Sequence, residues 1–353
     1  MRDRPVEPVS RRAFLRTTCG AAGGVALLGL SGCGGGSSGG GGAYKGQLAV
    51  SHLSSNIVGA PFYIAVDKGF FADEKVQIEL VETKGGSAPV RAIVQSTNLG
   101  APSTPAALTG AGKGLSDLRI VSGLFNTPAH VIYIAPKDRK VSQDNLRGKK
   151  IGTSSPDSLT TYFAHVIAKE LGLTIGGKGE DADIEDVFVG DTAGAWTAAK
   201  QGLVDVAWSA PPFATKLLEK GEAKVVLDAE HFKPSFVTIC MATTQSFIDS
   251  NGHAVEGTLK GLAKAIELMD KDPKQAAASW AKKIKISPSV AEAAVKEYAW
   301  SFGLGIDRAG LGQALKAAVQ QRQIDPDEKP DIDSLIVDRF IPADSRVRGH
   351  HPS

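Results

Sequence analysis

The sequence predicts an α/β protein of two lobes, with parallel-dominated sheets flanked by helices. Three observations carry that expectation. The chain has 353 residues, 42% of them hydrophobic, which is enough for a sizeable core and too long for one average domain. From Tyr44 onward short apolar runs alternate with helical patterns, as in a parallel sheet covered by helices. No internal repeat or second low-complexity tract interrupts that alternation.

Strands are expected over 47–52, 76–83 and 99–101. Helices over 60–70 and 88–95 separate them, the second opened by Gly85-Gly86-Ser87, and Pro102-Ser103-Thr104-Pro105 opens another. Strands over 119–124 and 131–135 flank Phe125-Asn126-Thr127-Pro128, and the later one reads as the exit from the first lobe. A second unit follows, with strands over 151–153, 186–189, 204–208 and 224–228. Its helices cover 159–171, 193–201 and a stretch ending at Glu219, and Ser and Asp residues suit the start of the first of them. A strand over 236–242 returns the chain to the first lobe. Beyond it Val255, Leu259, Leu262, Ile266 and Met269 share one helical face, and helices over 273–283, 288–301 and 309–321 complete the fold. The expected division is therefore 44–136 with 236–342 as lobe 1, 137–235 as lobe 2, and 343–353 as a tail without order.

The segment ahead of Tyr44 reads as an address. Ser10-Arg11-Arg12-Ala13-Phe14-Leu15-Arg16 is a basic start followed by an apolar stretch of about 14 residues, short of the roughly 20 that span a bilayer. It resembles a twin-arginine export signal. Leu30-Ser31-Gly32-Cys33 then resembles a lipobox, ending a signal over 1–33 with Cys33 as the lipid attachment site. Two acyl chains hold a protein at a membrane where one binds reversibly. A Gly/Ser tether over 34–43 has no side chains with which to pack a core. An exported lipoprotein of the cell membrane, facing the periplasm or the outside, is the expectation. Residues 1 to 32 hold five arginines against two acids, a surplus of +3 within a formal +2, so the remainder carries −1. That near-neutral body lacks the basic face a nucleic-acid partner needs. Of the three cysteines, Cys19 lies in the signal and Cys33 is the anchor, leaving Cys240 in an apolar run as a buried thiol.

Three stretches in register carry a family likeness. They are Gly59-Ala60-Pro61-Phe62-Tyr63-Ile64-Ala65-Val66-Asp67-Lys68-Gly69-Phe70-Phe71 with Val76-Gln77-Ile78-Glu79-Leu80, then Leu146-Arg147-Gly148-Lys149-Lys150-Ile151-Gly152, then Ala198-Ala199-Lys200-Gln201-Gly202-Leu203-Val204-Asp205-Val206-Ala207. In order and spacing they resemble the nitrate, sulfonate and taurine family of solute-binding proteins. The resemblance implies a two-lobe periplasmic-binding-protein fold, type II-like, with two crossing strands, closing on its ligand as a hinged clamp. It also implies an ABC permease with its cytoplasmic ATPase as partner, a small-molecule ligand, a monomer and no cofactor. Ser96-Thr97-Asn98-Leu99-Gly100 departs from the short acidic strand entry that relatives have there, which weakens inference of the ligand.

Ligands of open α/β sheets sit beyond the carboxyl ends of the strands, where helices begin. That rule selects Ser54, Ser55, Asn56, Gly86, Ser87, Ser103 and Thr104 in the first lobe, and Ser154, Ser155, Asp157, Ser158, Asp191, Thr192, Trp208 and Ser209 in the second. Helix starts present unpaired N–H groups and partial positive charge, so they hold an anion without a full cation. The same Ser, Thr and Asp residues are also ordinary helix caps. Arg91 either reaches an anionic head or is solvated. Asp157 or Asp191 facing the cleft would suit a ligand amine, making a taurine-like zwitterion more natural than nitrate. Trp208 either walls the ligand or packs in the core, and Trp196 is read as core.

The expected function is capture of a small organic anion or zwitterion, sulfonate or taurine-like, for an importer. One rival is an enzyme, because relatives of the fold make pyrimidine or quinone precursors; another is a ligand-sensing subunit. Seven scattered histidines form no metal-ligand spacing, and His52, at the end of the first strand, is the one to test as an acid–base group. No catalytic residue and no metal site is expected.

Overall fold

A computed structural model describes residues 43–156, 158–232 and 235–345, with the side chain of Phe232 left out. The expected signal with Cys19 and Cys33, tether residues 34–42, Asp157 and tail residues 346–353 with His350 and His351 lie outside the described residues.

Two sheets organise the chain. The first has five strands in the order β2-β1-β3-β11-β4, from β1 (Tyr44–Ser51), β2 (Val76–Thr83), β3 (Leu99–Ala101), β4 (Leu118–Phe125) and β11 (Ile239–Thr244). β1 runs parallel to β2 and β3, while β11 is antiparallel to β3 and β4. The second has six strands in the order β10-β5-β9-β6-β8-β7, from β5 (Ile132–Pro136), β6 (Lys149–Thr153), β7 (Ile175–Gly176), β8 (Ile184–Phe188), β9 (Val206–Ser209) and β10 (Ala223–Asp228). β6 is parallel to β8 and β9, and β5 is antiparallel to β9 and β10. Parallel pairs need helical crossovers, and the helices between strands supply them.

The strand at 132–136, read from sequence as the way out of the first lobe, pairs inside the second sheet. The changeover comes earlier, in the turn after Phe125. Pro128 has no N–H for a strand ladder, and its carbonyl accepts from Val131 N, closing a turn. The returning segment meets the departing one there. Thr238 donates from N and Oγ1 to Phe125 O at 2.9 and 3.1 Å, and from Oγ1 to Thr127 O at 3.0 Å.

Apolar residues divide into two clusters. One joins Leu48, Phe62, Phe125, Trp280 and Phe302, packing the helices Gln245–Lys271, Pro273–Ile284 and Pro288–Tyr298 on the first sheet. The other gathers Tyr133, Phe163, Trp196, Trp208 and Phe236 around the second sheet, and extends to Val90, Ile93 and Leu108 of the first. Cys240 is fully buried, and burial pushes its thiol up to about 12.

Candidate functional site

The strand ends of both sheets converge on one cleft of about 900 Å³. From the first sheet come His52, Ser54 and Ser55 after β1, and Thr83, Lys84, Gly85, Gly86 and Ser87 at the end of β2. From the second come Ser154, Ser155 and Ser158 after β6, Asp191 and Thr192 after β8, and Phe213 with Lys216 after β9. A smaller chamber of about 90 Å³ shares His52, Gly86, Ser154, Ser155 and Ser158 with the cleft, and adds Asn56, Ser103, His130, Thr160 and Trp208. Ile57 N donates across to Pro211 O at 2.8 Å, joining the loop after β1 to the loop after β9.

Local chemistry places these groups. Ser158 precedes the helix Leu159–Glu170, where its Oγ accepts from Thr161 N at 3.2 Å and donates to Ser155 O at 2.8 Å. Asp191 caps the helix Thr192–Gln201, accepting from Gly194 N at 2.8 Å. Asn56 accepts from Val58 N at 3.1 Å. Gly85 takes a φ of +79°, which a side chain would strain, and a Cβ on Gly86 would overlap Ser103 Oγ. The glycine pair therefore lets the turn after β2 lie against the loop after β3.

Beneath the second-sheet side runs a buried network. Thr153 Oγ1 donates to Asp186 Oδ1 at 2.7 Å, and Thr161 Oγ1 lies 2.9 Å from Thr153 Oγ1 and 2.6 Å from Ser155 O. Burial raises Asp186 to about 6, against the opposing Thr153 hydrogen bond. Trp208 Nε1 donates to Gly190 O at 2.9 Å and so ties β9 to the loop carrying Asp191. Elsewhere polar atoms are open. Thr83 Oγ1 and His130 Nδ1 are buried without a hydrogen-bond partner among the described residues. Burial, with His52 adding to it, pushes His130 down to about 3, so its imidazole is neutral. Burial also lowers His52, against the pull of Glu82 and Asp191.

Of the residues selected from sequence, Ser54, Ser55, Gly86, Ser87, Ser154, Ser155, Ser158, Asp191 and Thr192 line the cleft, and Asn56, Ser103 and Trp208 line the chamber. Thr104 and Ser209 line neither. Thr104 is fully buried at a helix start, its N donating to Thr238 O, and Ser209 follows Trp208 on a strand, where successive side chains take opposite faces. Arg91 is exposed outside both spaces, its guanidinium donating to Ser87 Oγ at 3.2 Å. Trp196 lies in the core.

Several lining residues lie off the strand tips. Lys84 sits beside Gly85-Gly86, and Phe213 and Lys216 lie one turn past the expected loop after β9. His130 belongs to the crossing segment, and Ile284, Ile286 and Val290 come from the join between two helices, where no strand-end rule points. Among the described residues no group of three His, Cys, Asp or Glu side chains is placed to hold a metal ion. Nor is any helix among them long and apolar enough to cross a membrane.

The family model described as NMT1/THI5 like matches residues 56–276. No curated protein matches the sequence. The periplasmic aliphatic sulphonate-binding protein SsuA of Escherichia coli is similar in structure, with a TM-score of 0.68, 18% identity, and 88% of this chain and 97% of that one covered. The alkanesulfonate-binding protein SsuA of Xanthomonas axonopodis pv. citri, bound to MOPS, aligns with a TM-score of 0.66, 17% identity, and coverage of 85% and 100%. The periplasmic nitrate-binding protein NrtA of Synechocystis PCC 6803 gives 0.63, 14% identity, and coverage of 84% and 86%. At these identities the likeness shows the fold, the two-lobe periplasmic-binding arrangement.

Proposed function

The chain belongs to the NMT1/THI5-like family, and from that membership we propose that it is the lipid-anchored, exported solute-binding component of an ABC importer. Its ligand is a small organic anion or zwitterion of the sulfonate kind, held between two lobes, one built on each sheet, that part in the turn after Phe125. The observation that carries the reading is the meeting of small polar strand ends from both sheets on one cleft. Hydroxyls at Ser154 and Ser155, beside the start of the helix Leu159–Glu170 that Ser158 caps, suit the oxygens of an anionic head. Lys84 and Lys216 add positive charge to the same space, while the exposed Asp191 offers its Oδ2 to an amine. The similar structures named for sulphonate, alkanesulfonate and nitrate binding agree with an oxyanion head.

The test uses the full chain in calorimetry and thermal-shift titration against alkanesulfonates, taurine, nitrate, bicarbonate and pyrimidines. One-to-one binding near micromolar, about 8 kcal/mol, without loss of the compound is expected. The family also includes enzymes, so each bound compound is followed for product, and turnover would replace this reading with catalysis. For the anchor, Cys33→Ala should release the protein from membranes into the soluble fraction.

A further inference from the structure

Resting on the reading that the cleft captures an anion, we propose that Asp186 is a positioning residue that takes up a proton as the anion binds, turning a run of hydroxyls so that Ser158 donates into the cleft. Asp186 is buried on β8 and lines neither the cleft nor the chamber, so it acts through its neighbours. Its Oδ1 meets Thr153 Oγ1 at 2.7 Å, Thr153 Oγ1 meets Thr161 Oγ1 at 2.9 Å, and Thr161 Oγ1 meets Ser155 O at 2.6 Å. Ser158 lines the cleft, and its Oγ reaches the same Ser155 O at 2.8 Å.

Each hydroxyl carries one hydrogen, and that limits the run to two orientations. A carboxylate only accepts, so with Asp186 ionised Thr153 donates to it and takes the Thr161 hydrogen in turn. Thr161 then points away from Ser155 O. That carbonyl has two lone pairs; Ser158 N fills one from 3.1 Å, and Ser158 Oγ fills the other. A carboxylic acid reverses the order, with Asp186 donating to Thr153, Thr153 to Thr161, and Thr161 to Ser155 O. Ser158 is displaced. Its hydrogen then rests on Thr160 Oγ1, 2.8 Å away, or points to an anion oxygen in the cleft, where the ligand's charge makes the stronger bond. No heavy atom has to move. The groups that face Asp186 leave it free to titrate. His165 Nε2, on the helix Leu159–Glu170, is 3.9 Å from its Oδ2, and burial lowers that imidazole against the pull of Glu180. Tyr133 on β5 is a buried phenol whose hydroxyl donates to Thr160 O. Among the described residues no lysine or arginine forms an ion pair with Asp186. Burial raises its carboxyl to about 6, so at pH 7 the acid form is about tenfold the rarer, a gap that one charge-assisted hydrogen bond to the anion closes.

Butanesulfonate is the probe, because it stays an anion throughout and any proton taken up belongs to the protein. Mixed with the full chain in unbuffered solution in a pH-stat at about pH 6.5, it should bring uptake of between about a half and one proton per anion bound. Calorimetry in bis-tris and imidazole, neither of them a sulfonate, should show affinity falling about fivefold over the next pH unit. Asp186→Asn fixes an N–H donor toward Thr153, so it should bind without uptake and equally well at both pH values. Thr161→Val interrupts the run while keeping Asp186, and should also abolish uptake; His165→Gln should preserve it. Each variant is checked for unchanged far-UV circular dichroism. Binding by the parent without proton uptake overturns the inference and leaves solute capture standing. Uptake that survives Asp186→Asn also overturns it, since the proton would then sit on His52, Asp191 or His165, as does uptake lost in His165→Gln. Uptake that survives Thr161→Val overturns the relay by making the coupling a through-space effect of charge, and an Asp186→Asn protein weaker at both pH values makes Asp186 structural alone. Absence of binding at every pH overturns the sulfonate-capture reading, and the proton coupling with it.

Discussion

On the second-sheet side of the cleft the polar side chains are already engaged with one another. Ser158, Ser155, Thr161, Thr153 and Asp186 form a continuous hydrogen-bonded run, and Trp208 secures the neighbouring loop. On the first-sheet side and at the crossing, Thr83 and His130 instead bury polar atoms that nothing among the described residues satisfies. Leaving such an atom unpaired costs about 1–3 kcal/mol, so a fold keeps it where a guest or water completes it. The contrast is between a platform set before the ligand arrives and a partner side with hydrogen-bonding capacity in reserve.

The largest effect should come from breaking the platform. Ser158→Ala removes a helix cap and the donor to Ser155 O. We expect stability to fall by about 1 kcal/mol in urea unfolding and sulfonate affinity to fall about tenfold in calorimetry. A stability loss at unchanged affinity would make Ser158 a cap alone. Next in size, His130→Phe removes the unpaired nitrogen while keeping an aromatic ring beside Phe125, whose ring centroid is 4.7 Å away. Affinity should drop about fivefold, the worth of one hydrogen bond, with stability at neutral pH unchanged or higher. If affinity holds, the reserve on this side is for water.

The two sides should also respond to acid with opposite signs. Asp186, raised from 3.8 to about 6, keeps in the folded state a proton that the unfolded chain gives up. Its contribution therefore destabilises progressively as pH rises through that window. His130, lowered from 6.5 to about 3, refuses a proton that the unfolded chain takes, so its contribution is lost as pH falls from 6.5 toward 3. Asp186→Asn should accordingly steepen the loss of stability between pH 6 and pH 4, and His130→Phe should shallow it, both read from denaturant midpoints across pH. The smallest effect is expected at Arg91→Ala. Its side chain is exposed and outside the cleft, so affinity should not change and stability should stay within about 0.5 kcal/mol.

Much of the architecture was legible before any coordinates, because it rests on short-range signals. Alternating apolar runs and helical patterns identified the strands and helices around them, and the paired glycines after β2 marked a tight approach that side chains forbid. Small polar residues at helix starts, Ser158 and Asp191 among them, were readable as caps and as cleft candidates at once, since one hydroxyl or carboxylate serves either use. The strand at 132–136 was legible as a strand, but its sheet was not. Its neighbours β9 and β10 lie some seventy to ninety residues away in sequence, and pairing over that distance leaves no local mark.

By itself the sequence determined the α/β class, the family likeness and the small polar strand ends, since period, capping and close backbone approach act within a few residues. Only the tertiary structure decided that Thr104 and Ser209 are buried away from the cleft, that His130 is held neutral, and that Phe213 meets Ile284 and Ile286 across one space. Burial and convergence depend on contacts between distant segments, and those exist only once the two cores have formed.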